Sequence, residues 1–323
     1  MPKPVAFDHE AAVRAAIEYA ERWAGHDDQA FVEALTARFD RSVQQATRAA
    51  GRLRVTSASA PAPRSFHIYK DPRYLKNARA LAQRTLGGTR IIGGRPVAAG
   101  QFMDCVAVGS DNQWGCTGTL VAPDVVVTAG HCADVATRVF FGANVTQPGR
   151  VVRVKKAVRH PRYHKGATND LLVLVLAEKV TGIPPRALAP KTLVDKATDG
   201  RAVGFGNVDP AGMFGYGVKR EVDVPVASPG CKGKVDGHDD ESAYGCDAGL
   251  EFVAGRPLLE RDSCTGDSGG PFYIQDKKKA WLLGGATSRA TASSMNNCGD
   301  GGIYVRVDRY RAWIDGIPGV TLP

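Results

Sequence analysis

The sequence has no cysteine before residue 105 and no Cys-x-x-Cys pair. Cysteines at that spacing are typical of zinc ribbons and thioredoxin-like redox sites, so their absence argues against both classes. No apolar run approaches the ~20 residues that a membrane-spanning helix needs. The longest, residues 171–177, is typical of a buried strand. These absences leave a globular protein with neither a membrane span nor a cysteine-based metal or redox site.

The N-terminus lacks the pattern of a secretion signal, which needs an uninterrupted apolar core behind a basic start. Charged residues interrupt the apolar stretch 11–24, namely Arg14, Glu18, Glu21 and Arg22. We therefore expect either that a signal is missing from this chain or that export uses another route.

Acidic residues are in the minority, 33 against 42 basic ones, which gives a net charge of +9. Residues 1–90 hold 15 of the basic and 9 of the acidic residues, so most of the excess lies there. No nucleic-acid-binding motif accompanies these charges. The pattern therefore predicts solvated helix faces, and no nucleic-acid partner.

Residues 1–90 have helical patterning and no strand signal. An amphipathic helix is predicted over 8–25 and a second over 28–50, followed by a Pro- and Ser-rich linker at 51–65. A third helix begins at Asp71-Pro72, a cap followed by proline at the first helical position, and stops before Gly87. The composition changes at residue 90, so the predicted domains are 1–90 and 91–323.

After residue 91 the chain alternates short apolar segments with Gly, Pro, Asp and Asn. Many short strands at such spacing predict an all-β barrel or sandwich. Strands are predicted at Cys105–Val108, Thr119–Val121, Val125–Thr128, Val151–Val158, Leu171–Leu176 and Ala202–Phe205.

A serine between glycines, Ser268 in Gly266-Asp267-Ser268-Gly269-Gly270-Pro271, is the first candidate for chemistry. Glycine permits positive φ, so the N–H groups of Gly266 and Ser268 can point at the oxyanion formed when a hydroxyl attacks a carbonyl. A Gly-Ser-Gly run alone is usually a flexible turn. A hydroxyl nucleophile also needs a base and a group that orients the base.

Two further motifs supply those groups: His131 in Thr-Ala-Gly-His-Cys, and Asp170 in Asn-Asp-Leu-Leu. With the Ser268 motif, the sequence resembles the trypsin/chymotrypsin family of serine endopeptidases over residues 91–323, in that family's order of His, Asp and Ser. The resemblance implies a chymotrypsin-like double β-barrel of six strands each with the site in the cleft between them, behind an α-helical pro-segment. It implies that His131 is the base, Asp170 its orienting group and Ser268 the nucleophile.

The sequence Arg90-Ile91-Ile92-Gly93-Gly94 stands at the predicted domain boundary. One interpretation is a glycine loop that joins two domains. The resemblance implies a zymogen cut after Arg90, whose new Ile91 ammonium pairs with Asp267 and completes the oxyanion hole. Residues 1–90 are then a pro-segment. An activating protease, either a separate enzyme or this enzyme itself, is then a partner beside protein or peptide substrates.

Six of the seven cysteines allow fifteen disulfide pairings from sequence alone. The resemblance selects Cys116–Cys132, Cys231–Cys246 and Cys264–Cys298, and disulfides imply an oxidising compartment, extracellular or periplasmic. Cys105 is left over in an apolar stretch and is predicted to be a buried free thiol.

Primary specificity is predicted from the residues that match the family's pocket. Asp262 matches the pocket floor and favours a substrate Arg or Lys, and Gly302 matches one wall. Thr287-Ser288-Arg289 is aligned with the family's Ser-Trp-Gly segment, which places Arg289 where a glycine leaves the pocket open. Arg289 then swings to solvent, recognises an acidic substrate residue or pairs with Asp262. Alternatives are the same chemistry with non-basic or restricted specificity, and a catalytically silent homologue that acts as a binding module.

The remaining polar motifs match no known site. The acidic run 236–241 has no calcium-binding spacing and is predicted to be a solvated loop. The six other histidines are predicted to lie at the surface. Phe205 replaces the tryptophan usual between the family's glycines, a tolerated change. No cofactor and no metal is predicted.

Overall fold

A computed structural model describes residues 68, 71–85, 95–111, 113–164, 168–207, 216–255, 266–292, 294 and 301–323. The predicted helices at 8–25 and 28–50 and the linker at 51–65 lie outside these residues. The chain divides into two compact units, residues 1–62 and 63–323. The second unit therefore contains the helix that precedes residue 90 as well as the strands that follow it.

Helix α1, Pro72–Thr85, is the third helix predicted from the sequence. Asp71 caps it, since its Oδ1 accepts the backbone N–H of Arg73 at 2.8 Å, and Pro72 occupies the first position, where no N–H is needed. Tyr74 on its inner face is 3% exposed.

The other elements are mostly short strands. The strands are β1 Arg95–Pro96, β2 Cys105–Ser110, β3 Gln113–Ala122, β4 Val125–Thr128, β5 Arg138–Phe141, β6 Arg150–Arg159, β7 Leu172–Leu176, β8 Asp199–Gly204, β9 Arg220–Ser228, β10 Lys234–Val235, β11 His238–Asp239, β12 Glu251–Ala254, β13 Pro271–Gln275, β14 Trp281–Ala290 and β15 Gly302–Arg306. The later helices are α2 Lys191–Val194, α3 Asp240–Tyr244 and α4 Arg311–Asp315.

The first barrel closes in the antiparallel order β2-β3-β4-β7-β6-β5. Strand β4 is buried along its whole length, because its valines are covered inside the barrel and against its outer neighbours. Four of the predicted strands lie within β2, β3, β4 and β6, and a fifth, at 171–176, is β7 begun one residue early.

The second barrel follows the order β9-β12-β15-β14-β13-β8, and β8 pairs with β9 to close it. Strand β1 is added beside β9. Phe252, Phe272 and Tyr304 pack as a three-ring cluster with centroids 4.8 to 5.1 Å apart. Two closed six-stranded barrels make up the chymotrypsin-like fold. The fold predicted from the resemblance is therefore confirmed.

Near the C-terminus a 3-10 turn at Val307–Tyr310 leads into α4. Tyr310 Oη donates to Asn169 Oδ1 at 3.2 Å. His160 stacks edge-on against Tyr310 and Trp313 and is only 6% exposed. The prediction that His160 is a surface residue was therefore wrong, because its ring fills an aromatic cluster instead. No helix among the described residues is long and apolar enough to cross a bilayer.

Two of the three expected disulfides are present, Cys116–Cys132 and Cys231–Cys246. The third pair, Cys264 and Cys298, belongs to segments outside the described ranges. Cys105 is a buried free thiol, as predicted, and its Sγ lies 3.7 Å from the carbonyl of Val203. Burial raises the pKa of this thiol far above its usual value.

Candidate active site

His131 lies on a 3-10 turn, Gly130–Cys132, directly after β4. The next residue, Cys132, is tied to Cys116 on β3 by a disulfide, which fixes the turn to the barrel wall. A side chain at Gly130 would come within 2.9 Å of the Tyr163 ring and 3.1 Å of Asp170 Oδ1. The close approach of this turn to Asp170 therefore requires glycine.

His131 and Asp170 are joined by two hydrogen bonds. The backbone N–H of His131 donates to Asp170 Oδ1 at 2.9 Å, and Nδ1 lies 2.8 Å from Oδ2. A carboxylate accepts but does not donate, so the proton of the neutral ring is placed on Nδ1. Nε2 is then the nitrogen left to take up a proton.

Asp170 is 6% exposed and receives a third hydrogen bond, from Ser288 Oγ at 2.6 Å. Burial alone would raise the pKa of this carboxyl, but the hydrogen bonds from His131 and Ser288 outweigh it and hold the pKa below its usual value. The carboxylate is thus ionised beside the imidazole and stabilises its charged form.

The loop of Ser268 is held by both barrels. The Ser268 carbonyl accepts the N–H of Thr117 from β3 at 2.8 Å, while the N–H of Gly269 donates to Thr287 in β14 at 2.7 Å. Gly269 has φ +78°, and a Cβ there would lie 2.0 Å from Thr128 Oγ1. Glycine is therefore required where the loop meets the first barrel.

The two N–H groups predicted to bind the oxyanion are those of Gly266 and Ser268. In the part of the chain that the structure describes, no protein atom accepts the N–H of Gly266 or of Ser268. Gly266 has φ +100°, which only glycine adopts readily. Within the same residues no hydrogen bond joins the Ser268 hydroxyl to His131, although Ser268 O lies 3.8 Å from Cys132 Sγ. Such bonds often form only when substrate is bound.

The Asp267 carboxylate lies against the segment Gly204-Phe205-Gly206. Its Oδ1 accepts the N–H of Gly206 at 2.8 Å. A Cβ would lie 2.0 Å from Asp267 Oδ1 at Gly204 and 2.6 Å from Cγ at Gly206. These glycines make room for the carboxylate, and Phe205 between them is fully buried.

Arg289 does not swing out to solvent, which was one of the arrangements expected from the sequence, and Asp262 lies outside the described residues. Its guanidinium forms two parallel hydrogen bonds with Glu251, at 2.7 and 2.8 Å, and a third with the carbonyl of Gly245 at 2.9 Å. Glu251 is fully buried. Nη1 also lies 3.2 Å from Ser288 Oγ, so Arg289 is one hydroxyl away from Asp170.

Ser288 was not singled out from the sequence, although it bonds Asp170. If Ser288 is matched to the serine of the Ser-Trp-Gly segment, Arg289 takes the place of the tryptophan and Ala290 that of the glycine. Thr287 is then one position too early, and its buried hydroxyl donates to Gly270 O at 3.1 Å. Gly302 pairs with Ala290 across the β14–β15 ladder. The serine at position 288 is the feature of the sequence that could have indicated this alignment.

The acidic run is solvated only in part: Asp236, Asp239 and Glu241 are exposed as predicted, whereas Asp240 is buried. Asp240 is 1% exposed, and its carboxylate accepts hydrogen bonds from Arg73, Ser228 and the N–H of Gly233. The prediction failed for Asp240 because the cation that pairs with it lies 167 residues earlier in the chain. The predicted site residues Arg90, Ile91 and Asp262 belong to segments that the structure does not describe.

Cys116, His131 and Cys132 bring their side-chain N and S atoms within 4.8 Å of one another. Both sulfurs belong to the disulfide and have no thiolate to offer a metal ion. The grouping is therefore a disulfide beside the imidazole.

Two comparisons with known proteins agree with this geometry. The family description "Trypsin" matches residues 91–314. Human kallikrein-7 is 30% identical over 248 residues, which cover 73% of this chain and 92% of kallikrein-7.

Proposed function

This chain belongs to the trypsin family of serine endopeptidases, and we propose that His131, Asp170 and Ser268 are its catalytic triad. His131 Nε2 takes the proton from Ser268 Oγ as the hydroxyl attacks the peptide carbonyl, and later gives it to the leaving amine. Asp170 keeps the proton on Nδ1 and stabilises the imidazolium. The N–H groups of Gly266 and Ser268 bind the oxyanion.

One observation supports this assignment above the others. The Asp170 carboxylate, ionised and buried, bonds both the backbone and the ring of His131 while the backbone of the Ser268 loop is fixed to β3 and β14. A silent homologue used only for binding has no need of this arrangement.

The same proposal includes activation by cleavage after Arg90. The Ile91 ammonium then pairs with Asp267, whose carboxylate already lies inward against Gly206. A buried ion pair is not stabilising by default, because desolvation opposes the attraction. It works as a switch here because the positive charge exists only after the peptide bond is cut.

Cleavage after Arg or Lys is the proposed preference, through Asp262 at the pocket floor. The competing candidate is the same chemistry with restricted specificity, which Arg289 favours. A charged guanidinium tied to Glu251 replaces an aromatic surface beside the substrate. Export to an oxidising compartment is proposed from the disulfides.

Labelling with a fluorophosphonate probe tests the proposal. Protein nicked after Arg90 is expected to react at Ser268, and the intact chain far more slowly. Ser268→Ala is the control that must not label. Absence of labelling on nicked protein would favour the binding module, while a peptide-library digest of active protein separates basic from restricted specificity.

A further inference from the structure

The segment that precedes the proposed cleavage site is docked on the catalytic unit. Helix α1 packs against β9, where Asn77 Nδ2 donates to the carbonyl of Val226 at 2.9 Å. Ile68 and Asp71, just before the helix, are fully buried. The contact is therefore a packed interface and not a loose tether.

A charged network joins this segment to helix α3. The Arg73 guanidinium donates to both oxygens of Asp240, at 2.6 and 3.0 Å. It also donates to Asp71 Oδ2 at 2.7 Å, and the same oxygen accepts the Tyr244 hydroxyl at 2.7 Å. A planar fork on a carboxylate is the strongest geometry for such a pair.

The Asp240 carboxylate lies on the surface that α1 covers, and it needs a cation beside it as long as it is buried. Burial would raise the pKa of Asp240, but the hydrogen bonds from Arg73, Ser228 and Gly233 hold it below its usual value. Removing one partner of a buried pair leaves an uncompensated charge, which is strongly unfavourable. Departure of the segment removes Arg73 from Asp240, which then keeps only the hydrogen bonds from Ser228 and the N–H of Gly233.

The docking surface lies next to Gly302 and Arg289, two residues assigned above to the proposed specificity pocket. Ile68 packs on Gly301, the neighbour of Gly302, close enough that a Cβ at Gly301 would lie 3.1 Å from its Cγ2. On the other side, the Tyr244 carbonyl accepts the N–H of Ala292 at 2.9 Å. The next carbonyl, that of Gly245, accepts the Arg289 guanidinium. The docked segment thus contacts α3 and Gly301, and the end of α3 in turn contacts Ala292 and Arg289.

We propose that residues 68–85 stay bound after activation as a second, noncovalent chain, and that they hold the rear of the specificity pocket in place. The partner of the surface formed by β9, α3 and Gly301 is this segment of the same protein. This inference rests on the proposed function, because in the natural protein it is cleavage after Arg90 that separates the two chains. The test below introduces its own cleavage site and does not depend on that step.

Retention is tested on the full chain with Ser268→Ala, which cannot cut itself. The recognition sequence of an unrelated, site-specific protease replaces residues 86–90, between α1 and β1. After complete cleavage, shown by mass, the protein is passed through size-exclusion chromatography. We expect the N-terminal fragment to elute with the barrels in equal amounts. Elution of the fragment by itself would overturn the proposal.

Variants show whether the observed contacts are responsible. Arg73→Met is expected to speed loss of the fragment about 100-fold or more, and Lys76→Met, on the exposed face of α1, to leave it unchanged. If the Arg73→Met variant does not fold, Arg73→Lys replaces it in the test, since lysine keeps the positive charge but cannot form the two parallel hydrogen bonds with the carboxylate. Equal retention by Arg73→Lys, Lys76→Met and the unmodified chain would contradict the proposed contacts.

A second readout addresses the pocket. In nicked protein with Ser268 intact, Arg73→Met is expected to lower kcat/KM at least tenfold, mainly through KM, and added peptide 68–85 to restore it. Full activity without the fragment would overturn this part. An inactive nicked enzyme that retains its fragment would instead count against the proposed function.

Discussion

Arg289 Nη1 and Nη2 hold the two oxygens of the buried Glu251 carboxylate at 2.7 and 2.8 Å. Glu251 has no exposed side-chain surface, and the Arg289 side chain keeps 19% of its own. The pair lies at the end of β14 that also carries Ser288, so this edge of the second barrel is built around a buried salt bridge.

Arg289→Met is expected to destabilise the protein by about 3–5 kcal/mol, because it leaves the Glu251 charge buried without a partner. The double variant Arg289→Met with Glu251→Gln should recover much of that loss. Urea unfolding monitored by fluorescence measures both. Arg150→Met is the matched control, since its partner Glu178 is exposed and such pairs contribute ~0–1 kcal/mol. Equal effects at both sites would contradict the importance of burial.

Asp170→Asn is expected to lower kcat by ~10⁴, the size of the effect in another serine protease with this triad, because the wrong imidazole tautomer is then favoured. Ser288→Ala removes one donor from the same carboxylate. We expect it to raise the pKa of Asp170 and to reduce kcat about tenfold. Steady-state kinetics from pH 5 to 9 check both changes, and Thr198→Ala on the exposed surface is the control. A Ser288→Ala enzyme with full activity would show that this bond is dispensable.

Gly204→Ala is expected to destabilise the protein by roughly 1–3 kcal/mol and to reduce activity. The new methyl group would lie 2.0 Å from Asp267 Oδ1 and push the carboxylate out of its recess. Gly115→Ala on the exposed side of β3 has no heavy atom within 4 Å and is expected to be neutral. Thermal unfolding and kcat/KM of the nicked proteins provide the comparison.

The stabilising effect of Asp240 is expected to depend on pH. Its pKa is lower in the folded than in the unfolded protein, so the stability it contributes is present above the unfolded value of ~3.9. That stability is lost as the pH falls through the folded value. The difference in unfolding free energy between the unmodified chain and Asp240→Asn should therefore be largest near pH 7 and shrink below pH 4. A constant difference would show that the carboxylate charge is irrelevant.

Thiol titration addresses the cysteines. Cys105 is buried and its pKa is raised, so it should not react with a disulfide reagent in the native protein. In denaturant one thiol per chain is expected to react if Cys264 and Cys298 form the predicted disulfide. Three reacting thiols would show that this third pair is reduced.

The sequence was most informative about features that depend on residues close together in the chain. Alternating apolar segments predicted the strands, the cap at Asp71 predicted α1, and the motifs around His131, Asp170 and Ser268 were found directly. Contacts between distant segments were not visible. Nothing near Asp240 in the sequence announces Arg73, and the partners of Arg289 lie 38 and 44 residues away. Such pairs depend on how the strands are ordered in the barrel, which the local pattern does not encode.

Ser268, the proposed nucleophile, lies between the two barrels: its carbonyl accepts the N–H of Thr117 in one, and the N–H of Gly269 donates to Thr287 in the other. Its position therefore depends on how the two barrels are aligned with each other. A shift of ~1 Å between them would reach the nucleophile in full and slow turnover about a hundredfold, even with each barrel intact. The turnover rate, rather than the melting temperature, should therefore respond most strongly to any ligand or substitution that moves the two barrels apart.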